Sequence, residues 1–288
     1  MINYAKIETV IRMIKMIATD LDGTLLHPKR VFRLVSRPNR TLLREFFLSG
    51  GKLALVSGRS YEFCQKIAKR LGVPCDIIAC AGAVMVRDDG GWRQDSAIPL
   101  ELAHELDRFF ESKRAPAIRL YTLKDQPIIA TGWVLRAWEK FLLPLYILKS
   151  ARYQEKTVYR KKPFTELFTA PEAVLKMSLV FYEKNLDYIR PIYRELKDRY
   201  GKRLEFSLFK NGLEITAKGI DKGRALMQLA AQHGIAMDEV AVVGDDANDI
   251  PMFKLFPQSF AMGHGMNAAK TAAKYELQQF SDLKKYLG

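Results

Sequence analysis

Four short apolar runs share one design: Met13 to Ala18, Leu53 to Val56, Ile77 to Cys80 and Val240 to Val243. None alternates strictly with polar residues, as expected of strands buried on both faces in a parallel sheet. They end at "TDLDGT", "SGRS", "AGA" and "GDDAND". Helical spacing lies between them. Ser60 is placed to cap a helix with Phe63, Ile67 and Leu71 on one face and Gly72 just past its end. Asp221 is placed to cap another, with Leu226, Leu229 and Ala230 inward and Gly234 at its stop. Strands alternating with helices predict an α/β fold with a doubly wound, Rossmann-like parallel-sheet core. Ligands of such sheets bind beyond the carboxyl ends of the strands, where the three polar motifs fall.

Between Gly82 and Lys218 the texture changes. Proline recurs at 99, 116, 127, 144, 163, 171 and 191. Strand patterns (117–123, 176–181, 203–209) mix with helical ones (100–111, 186–200). This predicts an α+β cap inserted over residues 86–216, between core segments 13–85 and 217–288. The opening "MINYAKIETVIR" precedes a second candidate start at Met13. Residues 1–12 therefore read as an N-terminal extension, either an overlong start or a short added helix.

Composition narrows the function classes. With 288 residues, 48% hydrophobic and 27% charged, the chain can bury a sizeable core and is not of the disordered class. The best membrane candidate, Trp133 to Leu148, is broken by Arg136, Glu139, Lys140 and Pro144, and Glu8, Arg12 and Lys15 interrupt any secretory apolar region. The expectation is a cytoplasmic protein with no membrane partner. Cys64, Cys75 and Cys80 form no Cys-x-x-Cys pair, which argues against a disulfide framework or a zinc site. The net charge of +14 favours an anionic partner. Much of the excess follows the first acidic motif, at Lys29, Arg30, Arg33, Arg37, Arg40 and Arg44. That run is either a solvated face or a device steering an anion toward Asp20.

The acidic motifs carry the chemistry. Asp20 and Asp22, at i and i+2, can converge on one volume above the sheet. Like charges so close call for a hard cation, and Mg²⁺ prefers oxygen ligands. Asp245, directly after Gly244, supplies a further acid. Phosphate also needs donors: Ser57 and the Ser57-Gly58 amides, Thr24 or the Gly23 amide, and Lys222 near a helix N-terminus, with Lys218 a nearby competitor. Carboxylate nucleophiles form aspartyl-phosphates.

"DLDGTLL", "SGRS", "DKGRAL" and "GDDANDIPMF" resemble, in order, the four motifs of haloacid-dehalogenase-like (HAD) hydrolases. The long insert resembles the mobile cap of the Cof-type subclass IIB. The resemblance covers roughly residues 13–85 and 215–275 and implies a role for each matched position. Asp20 is the nucleophile and Asp22 the general acid and base. Ser57, Gly58 and Lys222 bind phosphate, with Arg59 a further candidate. Asp20, Asp22 (through its carbonyl), Asp245 and Asp249 hold Mg²⁺, and Asn248 supports the phosphate. Asp246 reads as a solvent-facing turn acid and His264 as structural. Two places depart from the family pattern: Ala81-Gly82-Ala83 replaces the usual Asn-Gly-Ala, and "GHGMN" replaces a shorter Gly-Asn turn.

The resemblance implies a Mg²⁺-dependent phosphatase for a small phosphorylated metabolite, first of all a sugar phosphate, working as a monomer or homodimer. A phosphomutase of the same superfamily is the related alternative. A basic nucleic-acid-binding protein on a phosphatase scaffold is the alternative from another class. It would rest on pI ≈ 9.6 and the basic-aromatic stretch 152–162, although no nucleic-acid-binding motif is present. The plainer reading of that stretch is a cap surface.

Overall fold

A computed structural model describes residues 13–27, 35–113, 117–124, 128–131, 155, 157–160, 165, 173–181, 186–209 and 212–287. The expected extension 1–12, the arginine-rich run before residue 35 and the apolar stretch 133–148 lie outside them. The strands of the first half are β1 (Met16–Thr19), β2 (Lys52–Val56), β3 (Asp76–Ala79), β4 (Val84–Val86), β5 (Arg93–Asp95), β6 (Ala117–Leu123) and β7 (Ile128–Thr131). Those of the second half are β8 (Thr157–Tyr159), β9 (Val174–Phe181), β10 (Leu204–Phe209), β11 (Gly212–Ala217), β12 (Val240–Gly244), β13 (Gln258–Met262) and β14 (Tyr275–Leu277).

They form two sheets. The core sheet runs β14-β13-β12-β1-β2-β3-β4-β5, and the cap sheet runs β10-β11-β9-β6-β7-β8. In the core, the strands from β14 to β3 are parallel, and β4 and β5 turn back antiparallel. The unalternating runs are explained by burial on both faces. Ile17, Leu53, Leu55 and Val243 pack on one side with the helices Arg37–Leu48 and Tyr61–Leu71. Met16, Ala18, Ala54, Val56 and Val242 pack on the other with the helices Lys222–Gln232 and Ile250–Leu255.

The cap sheet is antiparallel apart from the β7–β8 pair. One of its faces buries Tyr121, Met177, Leu179, Leu213 and Ile215 against the helices Leu100–Ser112 and Leu186–Tyr200. Its opposite face, bearing Leu120, Lys176, Ser178 and Glu214, looks onto a cavity above the core strands.

Some boundaries differ from expectation. β1 begins at Met16 because Lys15 leaves the run and pairs with Glu239 at 2.8 Å, with Met13 exposed. The expected cap boundary at 85/86 falls inside β4. The core sheet continues to Asp95 because β4, whose Val84 and Met85 are buried on the two faces, pairs with β3, and β5 adds to the β4 edge through backbone bonds that owe nothing to an apolar pattern. At the other boundary β11 belongs to the cap sheet and extends to Ala217. Both expected helix caps are present: Ser60 Oγ accepts from the Phe63 amide at 3.4 Å, and Asp221 Oδ1 from the Arg224 amide at 2.8 Å. Among the described residues, no helix is long and apolar enough to cross a membrane.

Candidate active site

β1 delivers Asp20 to the carboxyl edge of the core sheet, where the residue is buried. The chain then turns sharply at Gly23 (φ 88°), where a Cβ would lie 2.2 Å from Asp245 Oδ2. Glycine is therefore required on both conformational and steric grounds. From β12 come Asp245 and, one turn later, Asp249, whose Oδ2 accepts from the amides of Asp245 (2.9 Å) and Asp246 (3.1 Å). The carboxylates of Asp20, Asp245 and Asp249 bring oxygens within 4.8 Å of one another.

Lys222 opens its helix beneath this cluster. Its buried Nζ donates to Asp20 Oδ1 and Asp249 Oδ1, each at 2.7 Å, and lies 3.4 Å from Asn248 Oδ1. Burial alone would lower its pKa, but Asp20 and Asp249 outweigh that and raise it, so Lys222 stays charged. Even so, one ammonium does not balance three acids. Burial pushes the Asp20 carboxyl well above the usual carboxylate range; Lys222 opposes the shift, and Asp249 and Asp245 add to it. Asp245 is pushed up to about 7, first by burial and then by Asp249. A buried all-oxygen cluster that resists full ionisation fits a hard divalent cation such as Mg²⁺, held by Asp20, Asp245 and Asp249.

Other expected residues take different partners. Asp22 does not meet the other three carboxylates in the cluster; its carboxylate receives Arg59 Nε at 2.7 Å and Nη2 at 3.1 Å. Two expected phosphate donors are otherwise engaged. The Ser57 amide donates to the Ile78 carbonyl at 2.8 Å, because residue 57 still continues the β2–β3 ladder, and the Thr24 hydroxyl donates to Asp245 at 2.9 Å. Ser57 Oγ is buried and accepts from the Arg59 amide at 3.2 Å. Lys218 is no competitor for Lys222, since its Nζ reaches the Gly201 carbonyl at 2.7 Å. Asp246 lines the cavity and receives the Ala247 amide at 2.6 Å.

Several contributors were not anticipated from the sequence. Glu155, inside the basic-aromatic stretch read as cap surface, reaches the seam and pairs with Arg59 Nη1 at 3.3 Å and with the Ser60 amide. Lys176 and Glu214 descend from the cap sheet. Their signal was present as polar positions in alternating strands, "LKMSLV" and "LEIT", but the face they occupy depends on how the cap is seated. His27 stacks on His264 at 3.6 Å, and His264 Nε2 lies 2.7 Å from the Gly23 carbonyl. Burial and His264 lower the His27 pKa.

These groups surround a cavity of about 850 Å³ between core and cap, room for a small metabolite. A model of the haloacid dehalogenase-like hydrolase family matches residues 17–282. Phosphatase YwpJ of Bacillus subtilis is 26% identical over 271 residues, 90% of this chain and 93% of that protein. Pyridoxal phosphate phosphatase YbhA of Escherichia coli is 26% identical over 264 residues, 90% and 91% of the two chains. A solved structure of a haloacid dehalogenase-like hydrolase from B. subtilis superposes with TM-score 0.78 at 25% identity, covering 96% of this chain and 100% of that one.

Proposed function

Because the chain belongs to the haloacid dehalogenase-like hydrolase family, we propose that it is a Mg²⁺-dependent phosphatase of small phosphorylated metabolites working through an aspartyl-phosphate on Asp20. The observation that carries this reading is the convergence of Asp20, Asp245, Asp249 and Lys222 at the strand ends, under a cavity of metabolite size. The names of the relatives, phosphatase and pyridoxal phosphate phosphatase, support a phosphate monoester as substrate. Sugar phosphates and pyridoxal-type esters are the first to test.

Bound Mg²⁺ would supply charge neutralisation for the carboxylates and the phosphate. The chain's own groups do the rest. Lys222 holds Asp20 by one oxygen and opposes the burial that raises its pKa; a bound cation would add to that and favour the ionised form that attacks phosphorus. As the P–O bond to the leaving group breaks, Asp22, protonated from solvent in place of its resting ion pair with Arg59, gives that proton to the departing oxygen. It then takes a proton from the water that hydrolyses the acyl-phosphate, releasing inorganic phosphate and restoring Asp20. Arg59, bidentate on Asp22, holds that carboxylate at the mouth of the site. The cap face excludes water.

Asp20→Asn tests the reading. An amide cannot form the acyl-phosphate, so turnover of every phosphate ester and acid-stable labelling of the protein are expected to vanish while the circular dichroism spectrum persists. Activity within about tenfold of the parent, ~1.4 kcal/mol in barrier, would overturn the assignment.

A further inference from the structure

Lys176 on β9 and Glu214 on β11 stand on the cap face turned away from the cap's own core, between residues that do enter it: Met177 beside Lys176, Leu213 and Ile215 beside Glu214. Both are buried. Lys176 Nζ donates to Glu214 Oε1 at 2.7 Å and, across the seam, to the Gly58 carbonyl of the loop after β2. Glu214 Oε2 accepts from Asn248 Nδ2 at 3.2 Å, and Asn248 Oδ1 faces Lys222 Nζ. The chain of contacts thus runs from two cap strands to both core loops and on to the lysine that holds Asp20.

Both members are charged. Burial disfavours the Lys176 ammonium, but Glu214 outweighs it and raises the pKa; burial disfavours the Glu214 carboxylate, but Lys176, Lys222 and Asn248 outweigh it and lower the pKa. The backbone is shaped to receive the pair: a Cβ on Gly58 would lie 2.4 Å from Glu214 Oε1. A buried ion pair is a weak source of stability, because desolvation offsets most of its attraction. Its place at the seam is better explained by what it positions.

We propose that Lys176 and Glu214 are positioning residues that lock the Gly58 loop and Asn248 into their phosphate-holding geometry only while the cap is seated, so that closing the cap and completing the phosphate site are one event. The catalytic consequence rests on the phosphatase reading; the clamp itself does not.

The test uses the full chain with Lys176→Met, Glu214→Leu, the double variant, Lys176→Arg and Gly58→Ala. The double variant guards against misfolding, since it leaves no lone buried charge. Two readouts are taken. The first is kcat and KM on whichever phosphorylated metabolite the parent hydrolyses. The second is amide hydrogen exchange at residues 57–60 and 245–249. The expected result for Lys176→Met, Glu214→Leu and Gly58→Ala is a fall in kcat of about 10- to 100-fold with little change in KM. The double variant should be no worse than either single variant, because the pair acts as a unit, and Lys176→Arg should recover part of the loss. Exchange at both loops should quicken in the double variant at unchanged Tm. Parental kcat and parental exchange in the double variant would overturn the clamp. So would losses that track Tm alone without recovery in Lys176→Arg. If the parent hydrolyses no phosphate ester, the phosphatase reading fails and the exchange measurement alone decides the clamp.

Discussion

Asp245 shows how a single carboxyl can report the missing charge. Burial and Asp249 push it up to about 7. A carboxyl raised in the folded state contributes its full stability below the unfolded value, and that stability is lost as pH rises from there through the folded value of about 7. A cation binds the ionised form and therefore displaces a proton. Calorimetric Mg²⁺ titrations are expected to weaken by about tenfold per pH unit below about 7, the slope of one proton. A flat profile from pH 5.5 to 7.5 would remove Asp245 from the cation site. Asp245→Asn should raise Tm in Mg²⁺-free buffer more at pH 8 than at pH 5, and should abolish the Tm response to Mg²⁺. Another residue-scale oddity is Ala81, left-handed at φ 59° directly after Cys80 at φ 52°. Its amide reaches the Ser57 carbonyl at 3.0 Å, which ties the end of β3 to the Ser57 loop. Ala81→Val, β-branched at positive φ, is expected to lose ~2 kcal/mol in urea unfolding; an unchanged midpoint would contradict the left-handed assignment. The two aspartates of "DLDG" were visible as chemistry from spacing alone, but that Asp22 would be engaged by Arg59, 37 residues away, was not.

At the scale of elements, the helix Lys222–Gln232 links stability to the site. Asp221 caps it, and the first helical residue is Lys222 itself. Asp221→Ala should cost about 1 kcal/mol of folding stability through the lost cap, and should lower kcat by more than that because the first turn orients the ammonium toward Asp20. Equal losses in thermal unfolding and in activation free energy would show that the cap serves stability alone. The helices at Ser60 and Asp221 were legible because a cap residue, an apolar stripe and a stop fall in order within one segment. β4 and β5 were not. Arg93–Asp95 is three polar residues, and only the open edge of β4, offering unpaired backbone groups, makes a strand of it.

At the scale of the whole molecule, a chain of net charge +14 encloses a cavity whose lining carries six acids (Asp20, Asp22, Glu155, Glu214, Asp245 and Asp246) against Arg59 and Lys176. The positive charge therefore lies mainly elsewhere, and salt should screen it without disabling the site. A protein neutralising six or more phosphates of a polymer loses ~10³ or more in affinity between 50 and 200 mM salt. For this chain, kcat/KM on a small ester is expected to change only modestly over that range, since buried pairs are screened less, and a chelator should abolish turnover. A mobility-shift titration at about 150 mM salt should find only weak, sequence-independent nucleic-acid binding. Tight, sequence-dependent binding with no hydrolysis of any phosphate ester would instead favour the nucleic-acid reading.

By itself the sequence determined what is local. Unalternating runs specify strands covered on both faces, caps and stops specify helices, and turn acids at strand ends specify where a cation and a phosphate would meet. Asp20, Lys222 and Asp245 could be named together because each sits within a few residues of such a strand end or helix start; Asp249 was added by the resemblance to the family's fourth motif. Tertiary structure alone decided what depends on contacts far apart in the chain. It set which donors stay available, since Ser57 gives its amide to Ile78 and Thr24 its hydroxyl to Asp245. It also set which cap face meets the core. A period-two strand states that Lys176 and Ser178 share a face, but not what that face opposes. The answer lies in the packing of the two sheets, which buries Lys176 and Glu214 against Gly58 and Asn248.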